Sequence, residues 1–116
     1  LLYQAVRIKS LLRKAEAQGV LTGPIAVVEP AERELALTLD AFDAAVSDAY
    51  DRRAPHAIAE HAYRLAQSFS KFYAACPVLA AEDPAVVGSR LALSKAALDQ
   101  LETALRLLGI ETPERM

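Results

Sequence analysis

The chain has 116 residues with 53% hydrophobic content and a formal net charge of −2, values that describe one small globular domain. Its single cysteine excludes an internal disulfide and favours a reducing compartment. No apolar run approaches the roughly 20 residues of a membrane span and no signal peptide opens the chain, so we expect a cytoplasmic protein without a membrane partner.

Charge is distributed unevenly along the chain. Residues 1–18 contain four basic side chains and one acidic one, a net charge of +3, which leaves −5 for residues 19–116. The four basic residues are Arg7, Lys9, Arg13 and Lys14. Clustered basic side chains can neutralise the phosphates of a nucleic acid, but they equally suit the solvated face of an amphipathic helix. The sequence leaves both interpretations open.

Two helical segments are predicted in the first half. The first covers about residues 1–18, where apolar residues recur on one stripe, and Gly19 can adopt the left-handed conformation that ends a helix. After a loop over residues 19–29, Pro30 suits the first turn of a second segment that runs toward Tyr50. No Gly or Pro marks a break near Asp40, so the pattern does not decide between one helix and two.

Two longer helices are predicted in the second half. A helix over about residues 55–75 carries an apolar seam with alternating spacings of four and three, formed by Ile58, Ala62, Leu65, Phe69 and Phe72. Cys76-Pro77 ends it, and Asp83 with Pro84 begins a last helix that continues to Gly109. The whole chain, 1–116, is therefore predicted to be one all-α domain, an antiparallel bundle of four to five helices.

Catalytic and metal-binding motifs are absent from the sequence. There is no Gly-rich phosphate loop, no Gly-x-Ser-x-Gly elbow and no Cys-x-x-Cys pair. His56, Glu60 and His61 come closest to a metal set, but His61 lies about 100° around the helix from Glu60, so we expect surface polar residues and no metal. Cys76 is expected to be a half-buried structural thiol.

Three motifs occur in a fixed order in the second half. Residues 69–79 read FSKFYAACPVL, residues 89–93 read SRLAL, and residues 108–116 read LGIETPERM. In this order they resemble the C-terminal anticodon-binding domain, or DALR domain, of arginyl-tRNA synthetases, and the resemblance covers nearly the whole chain. It implies a tRNA-reading module, with arginine tRNA and the catalytic domain of the same polypeptide as partners.

The catalytic signatures of class I synthetases, His-Ile-Gly-His and Lys-Met-Ser-Lys-Ser, do not occur here. We therefore expect this chain to be inactive alone and to hold no cofactor, with ATP used by the rest of the parent enzyme, an arginine–tRNA ligase. The opening Leu1-Leu2-Tyr3 is typical of a helix interior and includes no initiator Met, so we expect a C-terminal fragment of that larger synthetase.

The resemblance also implies site residues. In the family, the tyrosine that opens the first helix, the tyrosine of Phe-x-x-Phe-Tyr and the terminal methionine contribute to the anticodon pocket, and they match Tyr3, Tyr73 and Met116. Arg7 and Arg90 match positions near that pocket. We expect the two tyrosines and the methionine to line one continuous surface, with one of these arginines at its rim.

Other interpretations stay open at this stage. The family commonly begins with Tyr-Ala-His-Ala-Arg, whereas this chain has Tyr3-Gln4-Ala5-Val6-Arg7, so any role of the histidine is missing. Tyr3 and Tyr73 could be core aromatics, and the bundle could instead bind a partner protein. It could also be the related domain of a glycyl β subunit or a cysteinyl synthetase, although the Pro-Glu-Arg-Met ending favours the arginyl enzyme.

Overall fold

The computed structural model describes residues 2–53, 55–81 and 83–109, and of Leu2 only the backbone. These residues form five α-helices and no β-strand, which confirms the predicted all-α fold. The helices are α1 (Leu2–Ala17), α2 (Pro30–Asp40), α3 (Phe42–Arg52), α4 (His56–Ala75) and α5 (Pro84–Leu107).

The core lies around α4 and α5. The predicted seam of α4 is buried along its whole length, and Phe69 and Phe72 are fully inaccessible to solvent. Helix α1 packs mainly on α5, whereas α2 and α3 pack mainly on α4. Helices α1 and α2 each contact both central helices.

The second predicted segment is two helices, separated at Ala41. Ala41 has φ −78° and ψ −4°, and its N–H bonds to the carbonyls of Thr38 and Leu39. The Leu39 carbonyl also accepts a 3.0 Å hydrogen bond from the Gln100 side-chain amide of α5. A side chain from a distant helix thus binds the backbone at this break, where no Gly or Pro stands in the sequence.

The predicted helix boundaries at Gly19 and Asp83 are confirmed. Gly19 follows α1 with a φ of 71°. Glycine adopts this left-handed conformation at little cost because it has no Cβ. Asp83 precedes α5, and its Oδ1 accepts a 2.9 Å hydrogen bond from the Ala85 N–H.

The loop between α1 and α2 is attached to α5. The Gly23 N–H donates to the Gly88 carbonyl over 3.0 Å, and a Cβ on Gly88 would lie only 3.0 Å from the Gly23 nitrogen. The buried Ser89 Oγ accepts a 2.9 Å bond from the Ala26 N–H and donates a 3.2 Å bond to the Ala26 carbonyl. These bonds hold an irregular segment of backbone in one place.

Candidate nucleic-acid interface

A groove of about 560 Å³ runs between α1 and the C-terminal half of α4. Its lining consists of one face of α1 and one α4 side chain: Tyr3, Val6, Arg7, Ser10, Leu11, Arg13, Lys14 and Tyr73. Residues 3, 7, 10 and 14 are spaced by three or four positions, so a helix places them on one face. We call this the α1/α4 groove.

Tyr3, Arg7 and Tyr73 lie together in the α1/α4 groove. The Arg7 Cζ atom is 4.2 Å from the centroid of the Tyr73 ring and 5.5 Å from that of Tyr3. The Gln4 Oε1 accepts a long, 3.5 Å hydrogen bond from an Arg7 Nη, which also restrains the guanidinium. Both distances to the rings are within the range of a cation–π contact.

The two tyrosines differ in how much of the ring is accessible. Tyr73 is half-buried and stacks on the core residue Phe69, with ring centroids 5.9 Å apart and an interplanar angle of 21°. Tyr3 is 59% exposed and therefore offers the more open aromatic surface. The interpretation of Tyr3 as a core aromatic is wrong, whereas Tyr73 contacts both the core and the groove.

The basic residues of α1 do not form one strip. Arg7, Arg13 and Lys14 line the α1/α4 groove. Lys9 is only 8% exposed, and its Nζ lies 3.4 Å from the Glu102 carboxylate of α5. The positive charge predicted from the sequence is thus divided between the groove and an ion pair that joins two helices.

The groove continues past Tyr73 to the turn after α4. A second hollow of about 420 Å³ shares Leu11, Lys14 and Tyr73 with the first, and the backbone turn formed by residues 77–80 completes its wall. Lys14 lies roughly 16 Å along the helix axis from Tyr3, at a rise of about 1.5 Å per residue. The continuous surface is therefore long enough for an extended ligand rather than a single small molecule.

Arg90 lies outside the α1/α4 groove. It is buried, and one of its guanidinium Nη atoms donates a 2.7 Å hydrogen bond to the Pro77 carbonyl. Its Nε is 3.5 Å from Glu32 Oε2, which is within ion-pair range but without hydrogen-bond geometry. The other Glu32 oxygen accepts a 2.8 Å bond from the Glu29 N–H at the start of α2. Of the two arginines that the resemblance placed near the pocket, only Arg7 is found in the groove.

The predicted position of Met116 lies outside the described residues. Five groove residues were not among the predicted site residues, and the two charged ones of these are Arg13 and Lys14. Helical spacing from Tyr3 and Arg7 could have identified Lys14, because residues 10 and 14 continue the same face.

Comparison with known proteins identifies the family. The whole chain, residues 1–116, matches the family described as the DALR anticodon binding domain. This chain belongs to that family. The resemblance drawn from the three sequence motifs is thereby confirmed.

Relatives of this DALR domain are much longer than the chain itself. It is 61% identical to an arginine–tRNA ligase of Maricaulis maris and 46% identical to one of Thermobifida fusca, over 100% and 98% of this chain. A solved arginyl-tRNA synthetase of Thermus thermophilus superposes with a TM-score of 0.84 at 35% identity and covers 99% of this chain. The DALR domain spans 20% of the length of each of these three proteins.

The position of the missing family histidine lies outside the groove. Ala5, which stands where the family commonly has histidine, is fully buried and so is directed into the core of the DALR domain. Tyr3 and Arg7, which keep the family residues on either side of it, both line the groove.

The expected surface position of His61 is wrong. His61 is buried beside the Phe42 ring, with ring centroids 5.2 Å apart, while His56 and Glu60 are exposed as expected. Its Nε2 lies 2.7 Å from Gln100 Oε1. Because the Gln100 amide nitrogen donates to Leu39, this oxygen is the acceptor and His61 Nε2 carries the proton. The residue therefore supports the joint between α2 and α3.

Neither a metal site nor a membrane span is found in the part of the DALR domain that the structure describes. No three His, Cys, Asp or Glu side chains are grouped there so that they could hold a metal ion. None of the described helices combines the length and apolar composition that crossing a bilayer requires.

Cys76 is more deeply buried than expected. Its side chain is almost inaccessible, and this burial raises the pKa of the thiol, partly offset by the nearby Arg90 charge. A raised pKa reduces the fraction of reactive thiolate at neutral pH. The position therefore fits a structural residue of the DALR domain.

Proposed function

We propose that this domain binds the anticodon stem-loop of arginine tRNA, as the RNA-reading module of an arginyl-tRNA synthetase. The observation that carries the proposal is the α1/α4 groove, in which two tyrosines lie beside three basic side chains. The 61% identity to an arginine–tRNA ligase over the full chain supports the arginyl type over the glycyl or cysteinyl alternatives.

The groove combines the two kinds of surface that single-stranded RNA requires. Unstacked bases bind flat aromatic or guanidinium surfaces, and the exposed Tyr3 ring and the Arg7 guanidinium offer both. Arg13 and Lys14, farther along the same face, are placed to contact the phosphates of the strand. Tyr73 connects this surface to the core, because its ring contacts both Phe69 and Arg7.

The charge of the groove argues against the alternative of a protein-docking bundle. The centre of a protein–protein interface is depleted of charged residues, and arginine is the exception. Three basic residues, one of them a lysine, line the α1/α4 groove, and no acidic residue stands among the lining residues that the structure describes. A polyanion therefore fits this surface better than an apolar helix.

The remainder of the parent enzyme supplies the chemistry in this proposal. Arginine activation and the use of ATP belong to the catalytic domain of the same polypeptide, and the DALR domain itself contributes no catalytic residue and no cofactor. Its task is to hold the tRNA so that the acceptor end reaches that domain. We place the enzyme in the cytoplasm, where protein synthesis consumes its product.

A matched pair of tyrosine variants tests the proposal. Tyr3 and Tyr63 are both 59% exposed, but only Tyr3 lies in the α1/α4 groove. In the full-length synthetase, Tyr3→Ala should weaken binding of arginine tRNA by about 1–3 kcal/mol, the usual value of one base stack, and Tyr63→Ala should leave it unchanged. Fluorescence titration with labelled tRNA measures both.

Salt dependence provides a second measurement. Affinity should fall as salt rises, and Lys14→Ala should reduce the slope of log affinity against log salt by about one. Equal effects of the two tyrosine variants, or a salt-independent affinity, would rule out the α1/α4 groove as the RNA site.

A further inference from the structure

The Tyr73 ring lies between a residue of the core and a residue of the groove. Phe69, which has no solvent exposure, stacks on the ring with centroids 5.9 Å apart and an interplanar angle of 21°. Arg7, which lines the α1/α4 groove, lies over the ring with its Cζ 4.2 Å from the centroid. A nucleotide that enters the groove therefore meets the Arg7 guanidinium before it meets the face of Tyr73.

The Arg7 guanidinium is held by neutral groups. Its Cζ is 5.5 Å from the Tyr3 ring centroid, and one of its Nη atoms donates a 3.5 Å hydrogen bond to Gln4 Oε1. Within the part of the chain that the structure describes, the ion pairs involve other basic residues and none includes Arg7. Two rings and one amide oxygen leave the positive charge and most of the N–H donors available to a ligand.

Gln4 is this chain's own addition to the family motif. It stands where the family commonly has alanine, between Tyr3 and Ala5. Positions 4 and 7 are three residues apart and are therefore neighbours on the surface of α1, which brings the amide oxygen to Arg7. Alanine has no side-chain acceptor, so the contact depends on the residue found here.

Holding an arginine in place has a consequence for affinity. An arginine side chain has many rotamers, and a ligand that fixes one of them lowers the conformational entropy of the side chain on binding. Contacts that already restrict the side chain reduce this cost at the moment of association. Tyr73 and Gln4 can thus raise the affinity for RNA without touching it.

We propose that Tyr73 and Gln4 are positioning residues, and that Arg7 is the group that contacts the nucleotide. This role separates Tyr73 from Tyr3, whose ring is 59% exposed and can stack on a base directly. The inference rests on the proposed function, because it concerns the RNA that the α1/α4 groove binds. It divides the groove into groups that touch RNA and groups that act through Arg7.

A double-mutant cycle in the full-length synthetase tests the role of Tyr73. Tyr73→Leu removes the ring and keeps an apolar side chain against Phe69, while Arg7→Gln removes the guanidinium. Each single change should raise the Kd for arginine tRNA roughly fivefold, whereas Tyr73→Leu should have less than about a twofold effect when Arg7→Gln is already present. Tyr73→Phe keeps the ring, so its Kd should stay within about twofold of that of the unchanged enzyme.

Gln4→Ala gives a second readout that places little demand on the fold. Gln4 is only partly buried, and alanine is the most favourable helix residue. The change should raise the Kd for arginine tRNA about two- to threefold, and only while Arg7 is present. The matched control is Gln67→Ala, which removes an exposed glutamine of α4 outside the groove lining and should leave the Kd unchanged.

The outcomes separate this inference from the RNA site itself. Additive effects of Tyr73→Leu and Arg7→Gln would overturn the positioning role, because they would show that the Tyr73 ring contacts RNA independently. Equal losses of affinity in Tyr73→Phe and Tyr73→Leu would also overturn it. If Tyr3→Ala weakens binding in either case, the groove remains the RNA site. If neither Tyr3→Ala nor Arg7→Gln changes the Kd, the RNA site and the positioning roles are both refuted.

Discussion

The buried pair of Arg90 and Glu32 predicts that Arg90→Ala destabilises the domain instead of acting first on tRNA binding. Arg90 joins three elements: its own helix α5, the start of α2 through Glu32, and the turn after α4 through the Pro77 carbonyl. The two side chains are 11% and 2% exposed, so solvent screens their interaction little. The alanine variant leaves the Glu32 carboxylate buried without its cation and the Pro77 carbonyl without its donor.

The expected loss is a large part of the total stability. Removing one member of a buried ion pair costs about 3–5 kcal/mol, and the lost charged hydrogen bond to Pro77 is contained in that figure rather than added to it. A domain of this size is stable by about 5–15 kcal/mol, so the variant should unfold at a much lower temperature or remain partly unfolded. Urea titration followed by far-UV circular dichroism measures the difference.

Two further variants separate the ion pair from a general effect of substitution. Arg64→Ala removes an exposed arginine that lies 3.9 Å from Glu60, and it should change stability by less than about 0.5 kcal/mol. In a double-mutant cycle, Glu32→Gln combined with Arg90→Ala should cost clearly less than the sum of the two single changes. If Arg90→Ala leaves unfolding unchanged and weakens tRNA binding, the structural role argued for Arg90 is refuted.

Three other predictions concern the loop, the thiol and the groove. Ser89→Ala should destabilise the domain by about 1–3 kcal/mol and accelerate amide exchange at Ala26, because both backbone groups of Ala26 lose their partner. An unchanged exchange rate at Ala26 would contradict the attachment of the loop. Cys76 should react with iodoacetamide at pH 8 at least tenfold more slowly than glutathione, since burial raises the pKa of the Cys76 thiol and lowers its thiolate fraction. A rate equal to that of glutathione would show that the thiol is accessible. Tyr73→Ala should lower both tRNA affinity and thermal stability, because the ring stacks on Phe69 as well as contacting the groove. Loss of tRNA affinity with an unchanged melting temperature would show that the contact with Phe69 does not stabilise the fold.

Much of the fold could be predicted from the sequence, for local reasons. The seam from Ile58 to Phe72 repeats at helical spacing, and a helix with this pattern buries one face whatever it packs against. Helix α1 ends at Gly19 because glycine can adopt a positive φ, and α5 begins after Asp83 because its side-chain oxygen accepts a hydrogen bond from the first turn. The short motifs identified the family, and through it Tyr3 and Tyr73 of the candidate site.

The direction in which each charged side chain points was decided only by tertiary structure. Arg7 and Lys9 are two positions apart on the same basic helix, yet one lines the groove and the other pairs with Glu102 on α5. Arg90 is buried because Glu32, far away in the sequence, is brought beside it. Periodicity shows that a helix has several faces, but the partner of each face comes from a distant segment. A buried charge is tolerated only where that segment supplies the opposite charge, and this is a property of the packed bundle rather than of the local sequence.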